Sequence, residues 1–343
     1  MDHNATLPPP EPIPPVPPAE LAPIAQPSVL RKVFFGKDGL RAGWSLLIFI
    51  ALVAAFAFCA NRIGHKIHPA AAERPKPGSE VSPAFLAIGE AIPFLIVLLV
   101  TWIMSKIERR PNSVYGLGGR RKLPQFLAGL VWGVICLSLL ILPLAKTGLL
   151  VIDSRLLFGS DVVRYGAIWL LGFLLVGLFE EYFVRGYLQY TVTRGLAGLF
   201  QWAFKTRHCA ALGFWTSAVI FSILFGLGHG NNPGESPIGL LSAGLAAMVF
   251  CFSLWRTGSL WWAIGFHTSW DWGQSFLYGV ADSGMMAQHH LLATHPVGKP
   301  ILSGGATGPE GSIFIVAVLA LASLSIVFTL PRAHYGVTPE RVP

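Results

Sequence analysis

Six ionisable residues of this 343-residue chain stand inside long apolar stretches, where a charged side chain is costly and therefore a functional candidate. They fall into three short groups that combine carboxylates, imidazoles and a guanidinium. A carboxylate that can take a proton from water, together with imidazoles, is the minimum set for hydrolysis without a covalent intermediate. The six residues are Glu180, Glu181, Arg185, His229, His267 and Asp271.

The first group is Glu180-Glu181 followed by Arg185, late in an apolar run. On a helix, Glu181 and Arg185 lie four residues apart with the acid first, which favours an ion pair. Glu180 is rotated by about 100° from Glu181, because consecutive residues are spaced in that way around a helix. Arg185 can then neutralise one carboxylate while the other acts as a general base. The competing interpretation is an interfacial charge cluster that ends the helix.

The second group is Phe225-Gly-Leu-Gly-His229, at the end of the next apolar run. A single histidine at a helix end is often structural, so this group is weak when taken alone. Gly226 and Gly228 allow close approach of a neighbouring helix, as small residues do in membrane bundles. They would equally let the backbone of a substrate approach the imidazole.

The third group is His267-Thr-Ser-Trp-Asp271, midway along a further apolar run. Residues four apart share one helix face, so both side chains point the same way. Asp271 could orient the imidazole, bind a metal, or donate a hydrogen bond as a neutral acid. Glu180, His229 and His267 could together bind a divalent metal such as zinc, although the short His-Glu-x-x-His spacing is absent.

The composition explains where these groups lie. The chain is 53% hydrophobic and 12% charged, whereas a soluble domain has about 25% charged residues. Its net charge of +8 comes from basic residues beside apolar stretches, which indicates the anionic face of a lipid bilayer rather than a nucleic acid partner. The sequence therefore predicts an all-α, multi-pass transmembrane helical bundle.

Eight apolar stretches approach the roughly 20 residues that a helix needs to cross a bilayer. With eight spans, most lysines and arginines fall on one side, which predicts that both termini are cytoplasmic. We expect the membrane to be a bacterial plasma membrane. The stretches are 42–60, 84–105, 124–145, 163–189, 210–231, 237–255, 260–279 and 311–331.

The chain is expected to contain one membrane domain, over residues 36–335, behind a disordered Pro-rich cytoplasmic tail over residues 1–35. Simple alternation of the spans would leave Glu180 and His229 at opposite ends of adjacent helices. We therefore expect the helix that carries Glu180 to continue past Arg185, which brings Glu180 nearer to the middle of the membrane.

Two other polar features are expected to lie in water. Glu90, in the second apolar stretch, either lines the cavity of the bundle or lies near the membrane interface with its carboxylate solvated, and we favour the second position. His289, His290 and His295 fall in a Gly-rich loop over about 280–310, which we expect to be an extracytoplasmic loop with solvated histidines rather than a metal site.

The three groups, taken in order, resemble the motifs of the CAAX-protease-like (CPBP) family, which includes CAAX prenyl proteases and abortive-infection-type proteins. The family carries Glu-Glu-x-x-x-Arg, then Phe-x-x-x-His, then His-x-x-x-Asn/Asp. The resemblance extends over about residues 85–280, with the core motifs in 163–280. Each motif is short, but three in this order within apolar segments are specific.

This resemblance implies an intramembrane endopeptidase that acts on a peptide or membrane-protein substrate. It implies that Glu180 and His229 activate a water molecule, while His267 and Asp271 stabilise the tetrahedral oxyanion. Prenyl proteases have Asn where this chain has Asp271, so a role in orienting His267 is an equal alternative for that residue. Both a metalloprotease and a metal-free glutamate mechanism are proposed for the family, and we favour the metal-free mechanism.

Two other functions compete with a protease. A non-catalytic membrane scaffold or immunity protein could keep the same fold, although the motif residues are all present. A transporter could use intramembrane acids and histidines to bind ions or relay protons. It would favour symmetry between the halves of the chain, and the sequence shows none.

Overall fold

The computed structural model describes residues 29–36, 39–67, 80–119 and 121–333. The Pro-rich tail predicted over 1–35 lies outside the described residues as far as residue 28, so it stays a prediction. The described chain is all-α, as the sequence predicts. It begins with a short helix α1 (Val29–Phe34), which leads into strand β1 (Phe35–Gly36).

Each of the eight apolar stretches is largely helical. In lipid no water is present to bond the backbone, so the N–H and C=O groups of a segment must form hydrogen bonds with each other. A short additional helix, α10 (Pro300–Ser303), precedes the last one. The long helices are α2 (Ala42–Ile67), α3 (Pro83–Glu108), α4 (Lys122–Lys146), α5 (Ser160–Glu181), α6 (Gln189–Phe204), α7 (Cys209–Gly228), α8 (Pro237–Thr257), α9 (Trp261–Trp272) and α11 (Ile315–Thr329).

Among the described residues, 6 helical segments are long and apolar enough to cross a membrane. The protein is accordingly an integral membrane protein. Two predicted spans are shorter, since α9 has 12 residues and α11 has 15. A π-helical turn, Gly273–Leu277, extends α9. The total of eight crossings and the cytoplasmic position of the termini stay predictions.

The helix that carries the first motif continues past Arg185, which confirms the expected extension. It runs without interruption from Ser160 to Phe204, over 45 residues. Its central part, Tyr182–Leu188, is π-helical. Such wide turns often mark functional sites, because they rotate side chains that a regular helix would place elsewhere. Here the wide turn buries Arg185 and Tyr187 inside the bundle.

Glu108, at the end of α3, holds this π-helical segment in place. Its carboxylate accepts hydrogen bonds from the hydroxyl groups of Tyr187, at 2.8 Å, and Tyr115, at 3.2 Å. The guanidinium groups of Arg110 and Arg194 lie 3.7 and 3.9 Å from the same carboxylate. This buried cluster ties α3 to the π-helical segment and to α6.

Close packing of α4 against α9 fixes the helix of the third motif. A Cβ atom at Gly129 would fall on the backbone oxygen of Trp262, and one at Gly265 would fall on that of Phe126. The two backbones are therefore in contact, which only small residues permit. Since α9 carries His267 and Asp271, this contact sets their depth in the bundle.

Short strands cover one end of the bundle. Strand β4 (Leu150–Arg155) pairs antiparallel with β6 (Leu292–Pro296), with Leu150 opposite Pro296 and Arg155 opposite Leu292. Strand β3 (Glu80–Val81) pairs parallel with β5 (Met286–Ala287). Near α1, β1 pairs antiparallel with β2 (Gly39–Leu40). The loop over 280–310 is thus a folded cover rather than an irregular connection.

The expectation of three solvated histidines in this loop was wrong for His290. That residue is buried, and its Nδ1 donates a hydrogen bond to the carbonyl oxygen of Ala287 at 2.6 Å. The ring of His289 stacks on that of Tyr165. His289 and His295 match the expectation, because both are exposed, and the side chain of His295 is 53% exposed beside Asp153. The pairing of strands in the cover buries His290, although the sequence shows only a polar loop at this position.

Candidate active site

The bundle encloses a cavity of about 720 Å³. Helices α3, α5, α7, α8, α9 and α11 contribute to its wall, and the cover over 280–310 contributes to one end. The wall is mostly apolar, with several phenylalanines. Glu180, His229, His267 and Asp271 all line it, so the three motifs meet around one space as the sequence predicts.

Glu181 and Arg185 form the predicted ion pair behind this wall. The Nη1 of Arg185 donates to Oε1 of Glu181 at 2.7 Å, and the two side chains are 1% and 0% exposed. The guanidinium of Arg185 lies 4.3 Å from the ring centre of Phe225 and 5.6 Å from that of Phe250. These cation–π contacts supply part of the stabilisation that water would otherwise give the charge.

His267 is held at both of its ring nitrogens. Its Nδ1–H points to Oε1 of Glu181 at 3.1 Å, since a carboxylate oxygen can only accept. Its Nε2 lies 3.4 Å from Oδ2 of Asp271 and 3.8 Å from Oε2 of Glu180. The sequence predicted Asp271 as a partner of this ring. The contact with Glu181 is new, and it shows that Glu181 serves Arg185 and His267 together.

Glu180 differs from Glu181 as the helix geometry predicts. Its side chain is 27% exposed and faces the cavity, whereas that of Glu181 is wholly buried. Its Oε2 is buried and has no hydrogen-bond partner among the described residues. A partly exposed carboxylate at the wall of a confined cavity is suited to hold and deprotonate a water molecule.

His229, just after α7, presents its outer nitrogen to the cavity. Its Nδ1 lies 2.8 Å from the carbonyl oxygen of Phe225, which makes Nδ1 the protonated donor and leaves Nε2 free to accept. A Cβ atom at Gly226 would fall on the backbone oxygen of Leu240 in α8, whereas one at Gly228 would meet open space. Gly226 therefore serves helix packing, which settles one of the two predicted roles of these glycines.

Phe225 connects all three motifs, a role that the sequence did not reveal. Its ring lies under the guanidinium of Arg185 and 6.4 Å from the ring of His267. Its carbonyl oxygen accepts the hydrogen bond from His229. The aromatic residue four positions before the histidine is thus a structural centre of the site.

Two acids of the cover reach the same cavity and were missed in the sequence. Asp282 accepts a hydrogen bond from the hydroxyl of Ser275 at 3.1 Å. Burial, with the nearby charges of Asp271 and Glu310, raises the pKa of Asp282 well above its ordinary 3.8. Single acids in a Gly-rich loop carry no sequence signal, because only the folding of the cover brings them to the cavity.

Glu310 is fixed by the neighbouring backbone. Its Oε1 accepts from the backbone N–H of Ser283 at 2.6 Å and from the hydroxyl of the same residue at 2.9 Å. Burial raises the pKa of Glu310, while these hydrogen bonds and the charge of His229 act in the opposite direction. A polar corner thus lies at the covered end of the cavity.

Glu90 also lines the cavity, and the expectation that its carboxylate would lie in water was wrong. Its Oε2 is buried and has no hydrogen-bond partner in the part of the chain that the structure describes. The helix face that carries Glu90 is set by the packing of α3 against α5, which sequence spacing alone does not give.

The possible zinc ligands Glu180, His229 and His267 are not grouped as metal ligands are. Within residues 29–36, 39–67, 80–119 and 121–333, no three His, Cys, Asp or Glu side chains are arranged to hold a metal ion. The partners of His267 are carboxylates, and Nδ1 of His229 is bonded to a carbonyl oxygen.

Residues 163–273 match the family model of the type II CAAX prenyl endopeptidase Rce1-like proteins. The segment is Rce1-like. This match confirms the resemblance that the motifs indicate, and it supports membrane proteolysis as the class of activity. No curated protein and no solved structure matches the chain at a significant level. The Rce1-like segment contains all six candidate residues, whereas Glu90, Asp282 and Glu310 lie outside it.

Proposed function

We propose that this protein is a membrane-embedded endopeptidase that hydrolyses peptide bonds with a water molecule activated by Glu180. The observation that carries the proposal is the difference in surroundings between two adjacent carboxylates. Arg185 neutralises the buried Glu181 at 2.7 Å, while the side chain of Glu180 lines the cavity and is 27% exposed. The Rce1-like match supports the same class of reaction.

In the first step, the water lies between Glu180 and His229. Glu180 takes one proton from it, and the hydroxide attacks the carbonyl carbon of the substrate. The Nε2 of His229 accepts a hydrogen bond from the same water, because Nδ1 already donates to the carbonyl of Phe225. Two acceptors orient the water so that its lone pair faces the substrate carbonyl. General-base catalysis by a positioned side chain raises the reaction rate by about 10²–10⁴-fold.

In the second step, His267 stabilises the oxyanion of the tetrahedral intermediate. Its Nδ1–H is held by Glu181, so an imidazolium would present Nε2–H to the cavity. Fixed donors of this kind stabilise developing negative charge because they need no reorganisation during the reaction. Asp271, 3.4 Å from Nε2, holds the ring and supports its positive charge.

The substrate is a peptide or a segment of a membrane protein. The cavity wall is mostly apolar, so it suits apolar side chains next to the cleaved bond. The polar groups are found near Glu180 and at the covered end, so we expect the reacting amide to bind there, where water can be held. Such a lining, with few convergent polar groups, is usual for sites that select apolar ligands.

Cleavage of a peptide library by the purified, liposome-reconstituted protein tests the proposal. Quenched-fluorescent peptides with apolar residues at the central positions should be cut by the wild type, and the cut sites read by mass spectrometry. Chelator should leave the rate unchanged. Loss of cleavage in chelator, restored by zinc, would replace the glutamate mechanism by a metal-dependent one. A wild type that cuts no peptide would instead favour the non-catalytic scaffold.

A further inference from the structure

Glu90 is a cavity-lining acid that the steps described so far do not use. It lies in α3, outside the Rce1-like segment, on a helix that packs against α5. Its Oε2 is buried without a hydrogen-bond partner among the described residues. An ionisable group in such a place costs at least about 2.5–3.5 kcal/mol on insertion scales, so its presence calls for a functional reason.

Three other acids around the cavity already have partners. Asp282 accepts from Ser275, and Glu310 accepts from Ser283. Asp271 lies beside the ring of His267. Glu90 differs from these three and resembles the proposed base Glu180, since its buried oxygen has no hydrogen-bond partner among the described residues.

Glu90 also shares its surroundings with the proposed general base, since Glu90, Glu180 and His267 line the same cavity. Two charged carboxylates in one apolar space are costly, and a proton held by the pair removes that cost. Pairs of carboxyl groups in different protonation states are a recurring way to supply an acid and a base at one site.

Peptide hydrolysis needs such an acid. Glu180 receives a proton when the water attacks, but the amide nitrogen must also gain a proton before the C–N bond can break, because an amide anion is a very poor leaving group. One carboxylate can perform both transfers only by moving its proton from one side of the intermediate to the other. A second, neutral carboxyl group removes the need for that movement.

We propose that Glu90 is the general acid of the reaction, which rests on the proposed function of Glu180. Neutral Glu90 donates its proton to the amide nitrogen as the C–N bond breaks, and the products leave as an acid and an amine. Glu180 then holds the proton from water while Glu90 is ionised. Transfer of that proton from Glu180 to Glu90, directly or through a water, restores the starting state.

The test compares two leaving groups in the Glu90→Gln variant. One substrate is a peptide amide cut by the wild type. The other is its ester analogue with 7-hydroxycoumarin as the leaving group, which departs as an anion and needs no proton. Glutamine keeps the shape of the side chain but cannot give up a proton. We expect kcat for the amide to fall about 100-fold or more, with KM unchanged and ester cleavage within about threefold of the wild type.

Two further variants separate catalysis from structure. Glu90→Asp should recover part of the amide activity, because it restores an acid at a slightly greater distance. Glu80→Gln, an exposed acid in β3, should change neither rate. Equal losses of amide and ester cleavage in Glu90→Gln, or no loss of either, would overturn the assignment. A wild type that cleaves neither substrate would overturn the proposed function itself, and the assignment with it.

Discussion

His267 donates its Nδ1–H to Oε1 of Glu181 across 3.1 Å, so the third motif is bonded directly to the first. The same oxygen accepts from Arg185 at 2.7 Å. Glu181 does not line the cavity, yet it fixes the ring that faces the cavity. Adjacent glutamates thus have different surroundings, since Glu181 is buried behind the wall and Glu180 faces the cavity.

Replacement of Arg185 by alanine should destabilise the protein strongly. The change leaves the Glu181 carboxylate buried with one charged partner fewer, and loss of one member of a buried pair costs about 3–5 kcal/mol. Thermal unfolding in detergent, followed by tryptophan fluorescence, measures the change. Arg164→Ala is the control, because the guanidinium of that exposed arginine lies over the ring of Tyr165, and its loss should cost less than about 1 kcal/mol. Equal losses in the two variants would contradict the central role of the pair.

Replacement of Gly226 by alanine should separate α7 from α8. The added Cβ atom would fall on the backbone oxygen of Leu240, and overpacking of this kind costs about 1–3 kcal/mol. Because His229 follows α7 directly, we expect a lower unfolding temperature together with lower peptidase activity. Gly228→Ala is the matched control, since its Cβ meets open space and should leave stability unchanged. If both variants are equally stable, the close helix contact is not as described.

The stability of the protein should depend on pH through Asp282. Its pKa is raised in the folded state, so the folded protein binds this proton more tightly than the unfolded chain does. The stabilisation is complete below the ordinary pKa of 3.8 and is lost as the pH rises through the folded value. The neutral Asp282→Asn variant avoids that loss.

We therefore expect Asp282→Asn to unfold at a higher temperature than the wild type at about pH 8, with a smaller difference at about pH 5. Differential scanning fluorimetry at the two pH values measures both differences. Asparagine still accepts the hydrogen bond from Ser275, so the comparison isolates the charge. A difference that shrinks as the pH rises would show that the carboxylate is stabilised in the folded state.

Local spacing was sufficient to predict much of the site. The acid-first spacing of Glu181 and Arg185 predicts their ion pair. The rotation of about 100° per residue along a helix places Glu180 on another face. The need for Glu180 to reach His229 predicts that the helix continues past Arg185. These relations involve residues on one helix, or at the facing ends of two successive helices. Residue spacing in the sequence is enough to predict them.

The positions of single acids and histidines outside the three motifs could not be predicted. Whether Glu90 faces lipid, water or the cavity depends on how α3 is rotated against α5, and single acids give no periodic signal. Asp282 reaches the cavity only because β5 pairs with β3, some two hundred positions earlier in the chain, which no local pattern specifies. The burial of His290 has the same cause, since the strands of the cover enclose it.

Peptide cleavage by Glu180→Gln, measured beside the wild type and Asp161→Asn, tests the central claim most directly. Asp161 is an exposed acid in the first turn of the same helix, so it controls for the loss of a charge from α5. The account predicts that Glu180→Gln remains folded and loses at least about 100-fold in kcat, while Asp161→Asn matches the wild type. Cleavage by folded Glu180→Gln at the wild-type rate would contradict a water molecule activated by Glu180.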